Sequence, residues 1–426
     1  MGRPKKPTPN IEKAPNRLSG SFDLGPDQYL SWEGFWEKVV TLSRTFGFSQ
    51  VQTSVFEDAR LFGFWSKTNS QLLNFAQTKG PHIAAAPAGI FGLARSYLSQ
   101  QEQEPTRVVK WYYETPIAFW NEKNELKQNR EFGFQIFGPL SPVADAQLVN
   151  LLFRIFTAVG LTNFSLEVNN VGCVECQPNY QDQLKTYFKD KKYDLCENCL
   201  AHLDAGNPLR IFACDNLSCS STTTEAPVIV DFLCETCRLQ LISVLEGLDE
   251  LGINYNLNAR VIGKPWNRRT VFELRCRLGD HDFILGSGGH SDELIQSLGG
   301  SACSALGFDS TQDVIIKALE LANLKFATKH RAEVFLVPLG DLAAKKSLKL
   351  FTELWNHDIV ASEFSGPGSI KMQLKLAESS KASIALIIGH KEAREGTVIL
   401  RDVRSGMQEL FVIERIIEEV KKRLGK

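Results

Sequence analysis

Eight of the ten cysteines in this 426-residue chain fall in one window, as Cys173-x2-Cys176, Cys196-x2-Cys199, Cys214-x4-Cys219 and Cys234-x2-Cys237. A CxxC turn presents two thiolates to one ion without strain, and four thiolates close a tetrahedral zinc site. Taken in chain order, the first two pairs give C-x2-C-x19-C-x2-C, a zinc-site spacing. Interleaved pairs are also possible, because spacing alone does not say which pairs share an ion. The expectation is one or two structural zinc ions per chain, in closed sites that hold the fold rather than do chemistry. Reduced cysteines that hold nothing, or a redox role, are the competing readings. Disulfides need an oxidising compartment, and the N-terminus has charge and proline where a signal peptide has its apolar region. Cys276 and Cys303 stand alone in apolar surroundings and read as packing residues.

A second stretch, "ARVIGKPWNRRTVFEL" at 259–274, ends in the strand-like alternation Thr270-Val271-Phe272-Glu273-Leu274. Pro265 and Trp266 sit where an active-site loop would need donors and acids. His281 and His290, with no matching carboxylate or cysteine partner evident, read as solvated or hydrogen-bonded turn residues.

The elements that must position these groups follow from periodicity. Residues 27–46 carry Tyr29, Trp32, Phe35, Trp36, Val39, Val40 and Leu42 at helical spacing. "SQVQTSVFE" alternates as a strand, 87–99 reads as a helix, and "VVKWYYET" and "FGFQIFG" read as strands around a polar loop, "NEKNELKQNR". A helix over about 142–159 and the strand "NFSLEVNNVG" lead into the cysteine window, with helices of its own near 178–189 and 234–251. Strands follow in "NYNLNARV" and "RTVFELRC", then a glycine turn between strand and helix in "DFILGSGGHSDELIQSLGG". This order predicts an antiparallel or mixed sheet carrying an inserted metal module. From residue 330 the pattern changes to strands (333–338, 359–364, 383–389, 397–402) alternating with helices (340–356, 369–379, 413–424), a separate α/β domain with a mostly parallel sheet.

The chain is 43% hydrophobic and 23% charged, an ordinary globular composition. No apolar run reaches the ~18 residues of a membrane-spanning helix, so a cytoplasmic protein without membrane contact is expected. The net charge of -1 draws no nucleic acid by a global field. Residues 1–18, with Arg3, Lys5, Lys6, Lys13 and Arg17 against Glu12, read as a disordered basic tail. It serves solubility or contacts phosphates non-specifically.

From about Ser19 onward the chain resembles the histidyl-tRNA synthetase family of class II synthetases. "GFSQVQTSVFEDARLF" resembles the family's first motif and "REFGFQIFGPLSPVADAQLV" the end of its second. "NVGCVECQPNY", "LCENC", "NPLRIFACD" and "APVIVDFLCETC" resemble its cysteine-bearing insertion, and "VFLVPLG" and "GTVILRDVRSGMQE" its anticodon-binding domain. The resemblance implies an α+β class II antiparallel core at 19–168 and 252–325, a Cys-rich insertion at 169–251, an anticodon-binding-type α/β domain at 330–426, and a homodimer built through the first motif. Ser54 replaces that motif's proline.

Carried over residue by residue, the catalytic motifs are degraded. The family's Arg-Pro-Glu-Gly-Thr loop is Ala86, Pro87, Ala88, Gly89 and Ile90. The second motif keeps Phe119 and Glu122 but has Trp120 at the arginine that meets the ATP α-phosphate, and Lys123 at the other arginine. The loop bearing the catalytic arginine is Ile262, Gly263, Lys264, Pro265, Trp266 and Asn267. The third motif is Thr311, Gln312, Asp313 and Val314, and the glycine-rich turn keeps Gly288, Gly289 and Asp292 with His290 at its arginine. Activation of an amino acid must offset charge developing at phosphorus, and each lost donor costs on the order of 10²–10³ in rate. Three lost arginines predict no useful activation unless Lys123, Lys264, Arg268 or Arg269 substitutes. The expected function is therefore binding of tRNA or a tRNA-like RNA by a non-catalytic paralogue. The alternatives are an active histidine–tRNA ligase using ATP and magnesium in a rebuilt site, and a regulatory subunit of an ATP phosphoribosyltransferase.

Overall fold

The computed structural model describes residues 16–68, 70–75, 80–101, 107–324, 326, 332–363 and 369–426. The basic charges of the N-terminal tail at Arg3, Lys5, Lys6 and Lys13 lie outside the described residues. The chain divides into two compact units, Met1–Phe326 and Ala327–Lys426.

The first unit opens with α1 (Pro26–Thr45). Pro26 suits the first helical position, where a missing N–H costs nothing, and Trp32, Phe35 and Val39 recur on the buried face. Strands β1 (Ser49–Val51), β2 (Phe56–Asp58), β3 (Gln71–Leu72), β4 (Asn74–Phe75) and β5 (Ile83–Ala85) follow, then α2 (Gly89–Gln101). "SQVQTSVFE" is thus two strands: β1 pairs with the main sheet, while β2 joins β5 and β4 in a small second sheet. A long hairpin, β6 (Val109–Trp120) and β7 (Leu126–Gly138), leads to α3 (Val143–Ala158) and β8 (Phe164–Asn170).

The insertion contains α4 (Cys176–Asp190), α5 (Glu197–Asp204), α6 (Leu217–Thr224) and α7 (Glu235–Glu250). Beyond it come β9 (Tyr255–Leu257), β10 (Arg268–Leu278), β11 (His281–His290), α8 (Asp292–Ser297), β12 (Ser304–Thr311) and α9 (Gln312–Leu321). The main sheet runs β1-β6-β7-β12-β11-β10-β8-β9, with β3 on β6, and is antiparallel except at its two ends. Helices α1, α3, α7 and α9 close one large core over it, around Phe35, Phe134, Phe156 and Phe272.

Two local expectations are corrected. The "polar loop" between β6 and β7 is mostly strand: pairing continues to Trp120↔Leu126, and the turn is only 121–125. The far end of the hairpin lacks a buried face, so its residues are polar although their backbones are paired. The glycines at 286, 288 and 289 do not make a turn but lie inside β11. Phe272 and Phe308 from the flanking strands stack 6.2 Å apart across it, and a Cβ at Gly288 would run into the Phe272 ring.

The second unit holds β13 (Val334–Pro338), α10 (Asp341–Asn356), β14 (Ala361–Glu363), α11 (Ile370–Ser379), β15 (Ile384–Ile388), α12 (His390–Glu395), β16 (Thr397–Asp402), β17 (Gln408–Val412) and α13 (Ile416–Leu424). Its sheet order is β14-β13-β15-β16-β17. The sheet is half parallel rather than mostly so, because β15-β16 and β16-β17 are antiparallel. Their connections are shorter than the dozen or so residues a parallel crossover needs.

Candidate functional site

Strands β6, β7 and β12 converge with the start of α2 on one buried carboxyl, Glu131. Its Oε1 accepts the Gly89 N–H at 2.7 Å and the Tyr113 hydroxyl at 2.7 Å. Asp309 of β12 faces it and is held by the Lys264 ammonium, which reaches both carboxylate oxygens. Burial and the Asp309 charge push the Glu131 carboxyl up to about 7, against the pull of Lys264. Burial, with Glu131 beside it, holds Tyr113 neutral well above its ordinary range. None of Glu131, Tyr113 and Asp309 is singled out by motif matching. A charged residue entering an apolar strand, as Glu131 does before "FGFQIFG", is the sequence signal that could have found the first.

The wall above this carboxyl is apolar. Trp266 is buried, stacks 6.1 Å from Trp65 and meets Phe91 edge-on at 5.2 Å. Ala86, Ala88 and Ile90, all buried, belong to the same cluster, with Phe119 packed against it 5.0 Å from Trp65. Small apolar side chains at 86, 88 and 90 share this cluster with the indole, where a carboxylate or guanidinium would have kept the space wet. The 86–90 segment is also tied to its neighbours, Ala86 N–H donating to Val55 and Ala118 N–H to Ala86.

The other expected site residues lie apart. Trp120 ends β6 half-buried, opposite Leu126 and Gln71. Ile262 packs into the core of the insertion, and Val314 on α9 packs against the large core. Pro265 contributes its carbonyl to Arg268 Nη1 at 3.2 Å.

The candidate replacement cations are engaged or distant. Lys264 holds Asp309, Arg268 donates to Glu293 at 2.8 Å, Arg269 lies 3.2 Å from Asp292, and Lys123 is exposed at the hairpin tip.

His290 is not a turn residue without an acidic neighbour. It ends β11, is 2% exposed, and its Nε2 donates to Asp145 Oδ1 at 2.9 Å, while Nδ1 faces Asp292 Oδ1 at 3.6 Å. Burial alone would push its pKa down; the two carboxylates raise it to about 10. The imidazolium thus fills a cation's place between two acids that sequence distance hides.

The cysteines form two nested sets, Cys173/Cys176/Cys234/Cys237 and Cys196/Cys199/Cys214/Cys219, with all sulfurs of each set within 4.8 Å of one another. The chain-order set of 173, 176, 196 and 199 is not formed. Helix α4 carries the chain away from Cys176 before Cys196 is reached, and Cys234 and Cys237 at the start of α7 return to it. Cys173 Sγ lies 3.6 Å from Cys176 and 3.9 Å from Cys234, and Cys196 Sγ lies 3.8 Å from Cys214. Bonds of about 2.3 Å in a tetrahedron place sulfurs roughly 3.8 Å apart, so both sets fit zinc. Backbone N–H groups of Cys234 and Cys196 point at Cys176 and Cys219 at 3.1 Å, and the Cys199 N–H lowers the Cys196 thiol to about 7. Cys276 is buried in the large core, and Cys303 is half-buried beside Tyr97.

Residues 333–423 match the family description "Anticodon binding domain". Over nearly its whole length the chain is similar to histidine–tRNA ligases: 30% identical to that of Halothermothrix orenii, covering 96% of this chain and 99% of the ligase, and 29% to that of Dehalococcoides mccartyi, covering 95% and 99%. Among solved structures, apo histidyl-tRNA synthetase of S. aureus superposes with a TM-score of 0.78 at 23% identity, over 96% of this chain and 100% of that one. An ATP phosphoribosyltransferase regulatory subunit/histidyl-tRNA synthetase from Bacillus halodurans superposes at 0.62 and 16% identity, over 90% and 99%. At such identities these two likenesses speak to the fold alone.

Proposed function

The chain belongs to the histidine–tRNA ligase family, and we propose that within it this protein has lost amino-acid activation and acts by binding tRNA or a tRNA-like RNA. The observation that carries the proposal is the buried apolar cluster that holds Ala86, Ala88, Ile90 and Trp266, where the family's histidine-holding carboxylate and hydroxyl are absent. Charge stabilisation at a transferring phosphoryl group depends on cations already aimed at it. The cations near this site are neutralised by Asp309, Glu293 and Asp292. The RNA-facing part has support of another kind: residues 333–423 match an anticodon-binding domain, and 330–426 carry a net charge of +3, sixteen Lys or Arg against thirteen Asp or Glu.

Zinc, held by the two cysteine sets, would serve here as a structural cross-link. A cytoplasmic homodimer completes the proposal. Phe56 and Phe75, exposed and edge-on at 5.1 Å on the small sheet whose first strand lies within the first motif, support a covered face there.

Histidine-dependent ATP–pyrophosphate exchange, run beside an active ligase at equal concentration, tests the loss of activation, and background exchange is the expected result. A normal rate would establish the second reading, an active ligase with a rebuilt site. That reading draws on the names of the relatives and on the Glu131–Lys264–Asp309 cluster. Absence of tRNA binding at low salt, where phosphate contacts are strongest, would remove the RNA-binding proposal. Co-purification with an ATP phosphoribosyltransferase would favour a regulatory subunit.

A further inference from the structure

Between the cysteine-bearing insertion and the 262–268 loop lies a cleft of about 210 Å³. Its lining residues include Arg210, Lys264 and Arg268 but no carboxylate, and no residue of β6, β7, β12 or α2, so Lys264, which reaches Asp309, is the one group it shares with the Glu131 site. Lys264 and Arg268 bind Asp309 and Glu293, which stand outside the lining. Arg210 differs: it is half-buried, and among the described residues its guanidinium has no hydrogen-bond or ion-pair partner. Burial pushes its pKa down, opposed by the charge of Glu122, which lies beyond ion-pair distance. An arginine stays charged under such conditions. A guanidinium partly withdrawn from water gains from a charge-assisted partner, and one lining a cleft without a carboxylate can take an anion there. Arg268 Nη2 and the side-chain amides of Gln181 and Asn207 likewise have no partner among the described residues and can donate into the same space. The volume is below the roughly 300 Å³ at which pockets take drug-sized ligands. A planar guanidinium fork matches phosphate geometry.

We propose that this cleft binds a small phosphate-bearing anion, a phosphomonoester or free phosphate, gripped by the Arg210 guanidinium, unpaired among the described residues, with Arg268 Nη2 and the amides of Gln181 and Asn207 as neighbouring donors. The primary readout is phosphate binding itself, which requires neither RNA nor amino-acid activation. The zinc-loaded full chain is titrated calorimetrically with inorganic phosphate at constant ionic strength. Saturable one-to-one binding is expected, weakened at least tenfold in R210Q. Gln181→Glu, on a half-exposed helix face, should weaken it as much by placing a negative charge in the cleft. Zinc content and the thermal melt of each variant establish that it is folded. Lack of saturable binding by the unaltered chain, or unchanged binding in both folded variants, overturns the proposal. If R210Q weakens RNA binding but leaves phosphate binding intact, the arginine serves an RNA backbone instead, and the proposal also falls.

Discussion

His290 concentrates more electrostatic consequence than its place in a glycine-rich strand suggests. With its pKa raised from 6.5 to about 10 by Asp145 and Asp292, the folded state holds a proton that the unfolded chain releases near neutrality. The pair's stabilisation is therefore fully present below about pH 6.5 and is lost as pH rises through about 10. His290→Gln leaves Asp145 buried without its cation and should cost about 3–5 kcal/mol near neutrality. Denaturant melts from pH 6 to 10 check this: stability should fall with pH in the unaltered chain and fall less in the variant. Glu131 titrates in the neighbouring window. Its carboxyl, raised from 4.5 to about 7, favours the protonated fold at low pH and loses that contribution as pH rises through 7. Glu131→Gln keeps an acceptor for Gly89 and Tyr113, so the melts should show less loss of stability between pH 4.5 and 7. Both sites were partly hidden in the sequence, because each partner arrives from a distant element: Asp145 from α3, Asp309 from β12 and Lys264 from a loop.

At the scale of elements, the nested cysteine sets make an asymmetric prediction. The outer set ties the first turn of α4 to the first turn of α7, whereas the inner set joins only parts of the insertion. Metal analysis should find two zinc ions per chain. Cys234→Ser should lower the melting temperature of the first unit more than Cys214→Ser, because it frees both ends of the insertion from the core. One ion, or equal melts, would count against this assignment. That the cysteines would gather into ligand-like sets was legible because thiolate chemistry is written in spacing. The partner sets were not, because which CxxC meets which depends on how helices return the chain. For the same reason α1 and α3 were legible from their apolar stripes. The hairpin beyond the core was not, since its paired backbone leaves no alternation in the side chains. The strand glycines read as a turn because crowding by Phe272 and Phe308 is invisible before the sheet is assembled.

For the whole molecule, RNA affinity and assembly are the quantities to measure. If three or so phosphates are neutralised, as the +3 balance of residues 330–426 suggests, tRNA affinity should fall roughly tenfold or more between about 50 and 200 mM salt. A salt-insensitive affinity would argue against phosphate contacts. Light scattering should return twice the chain mass of 47.7 kDa at micromolar concentration, and a monomer mass would refute the dimer. The break between the two units was legible in the sequence because the alternation of strands and helices changes character near residue 330. What the site does was less so, since function here turns on absent donors as much as on present ones.

The outer cysteine set also bears on how quickly the chain can find its fold. Strands β8 and β10 pair Asn170 with Thr270 across the whole insertion, a contact between residues remote in sequence. A metal ion joining Cys173 and Cys176 to Cys234 and Cys237 shortens the stretch to be closed to roughly a third, worth about 1 kcal/mol of closure entropy. Refolding from denaturant should therefore run several-fold slower in the presence of a chelator, the delay falling on the β8–β10 pairing, and zinc would act as a folding cofactor before it acts as a structural one.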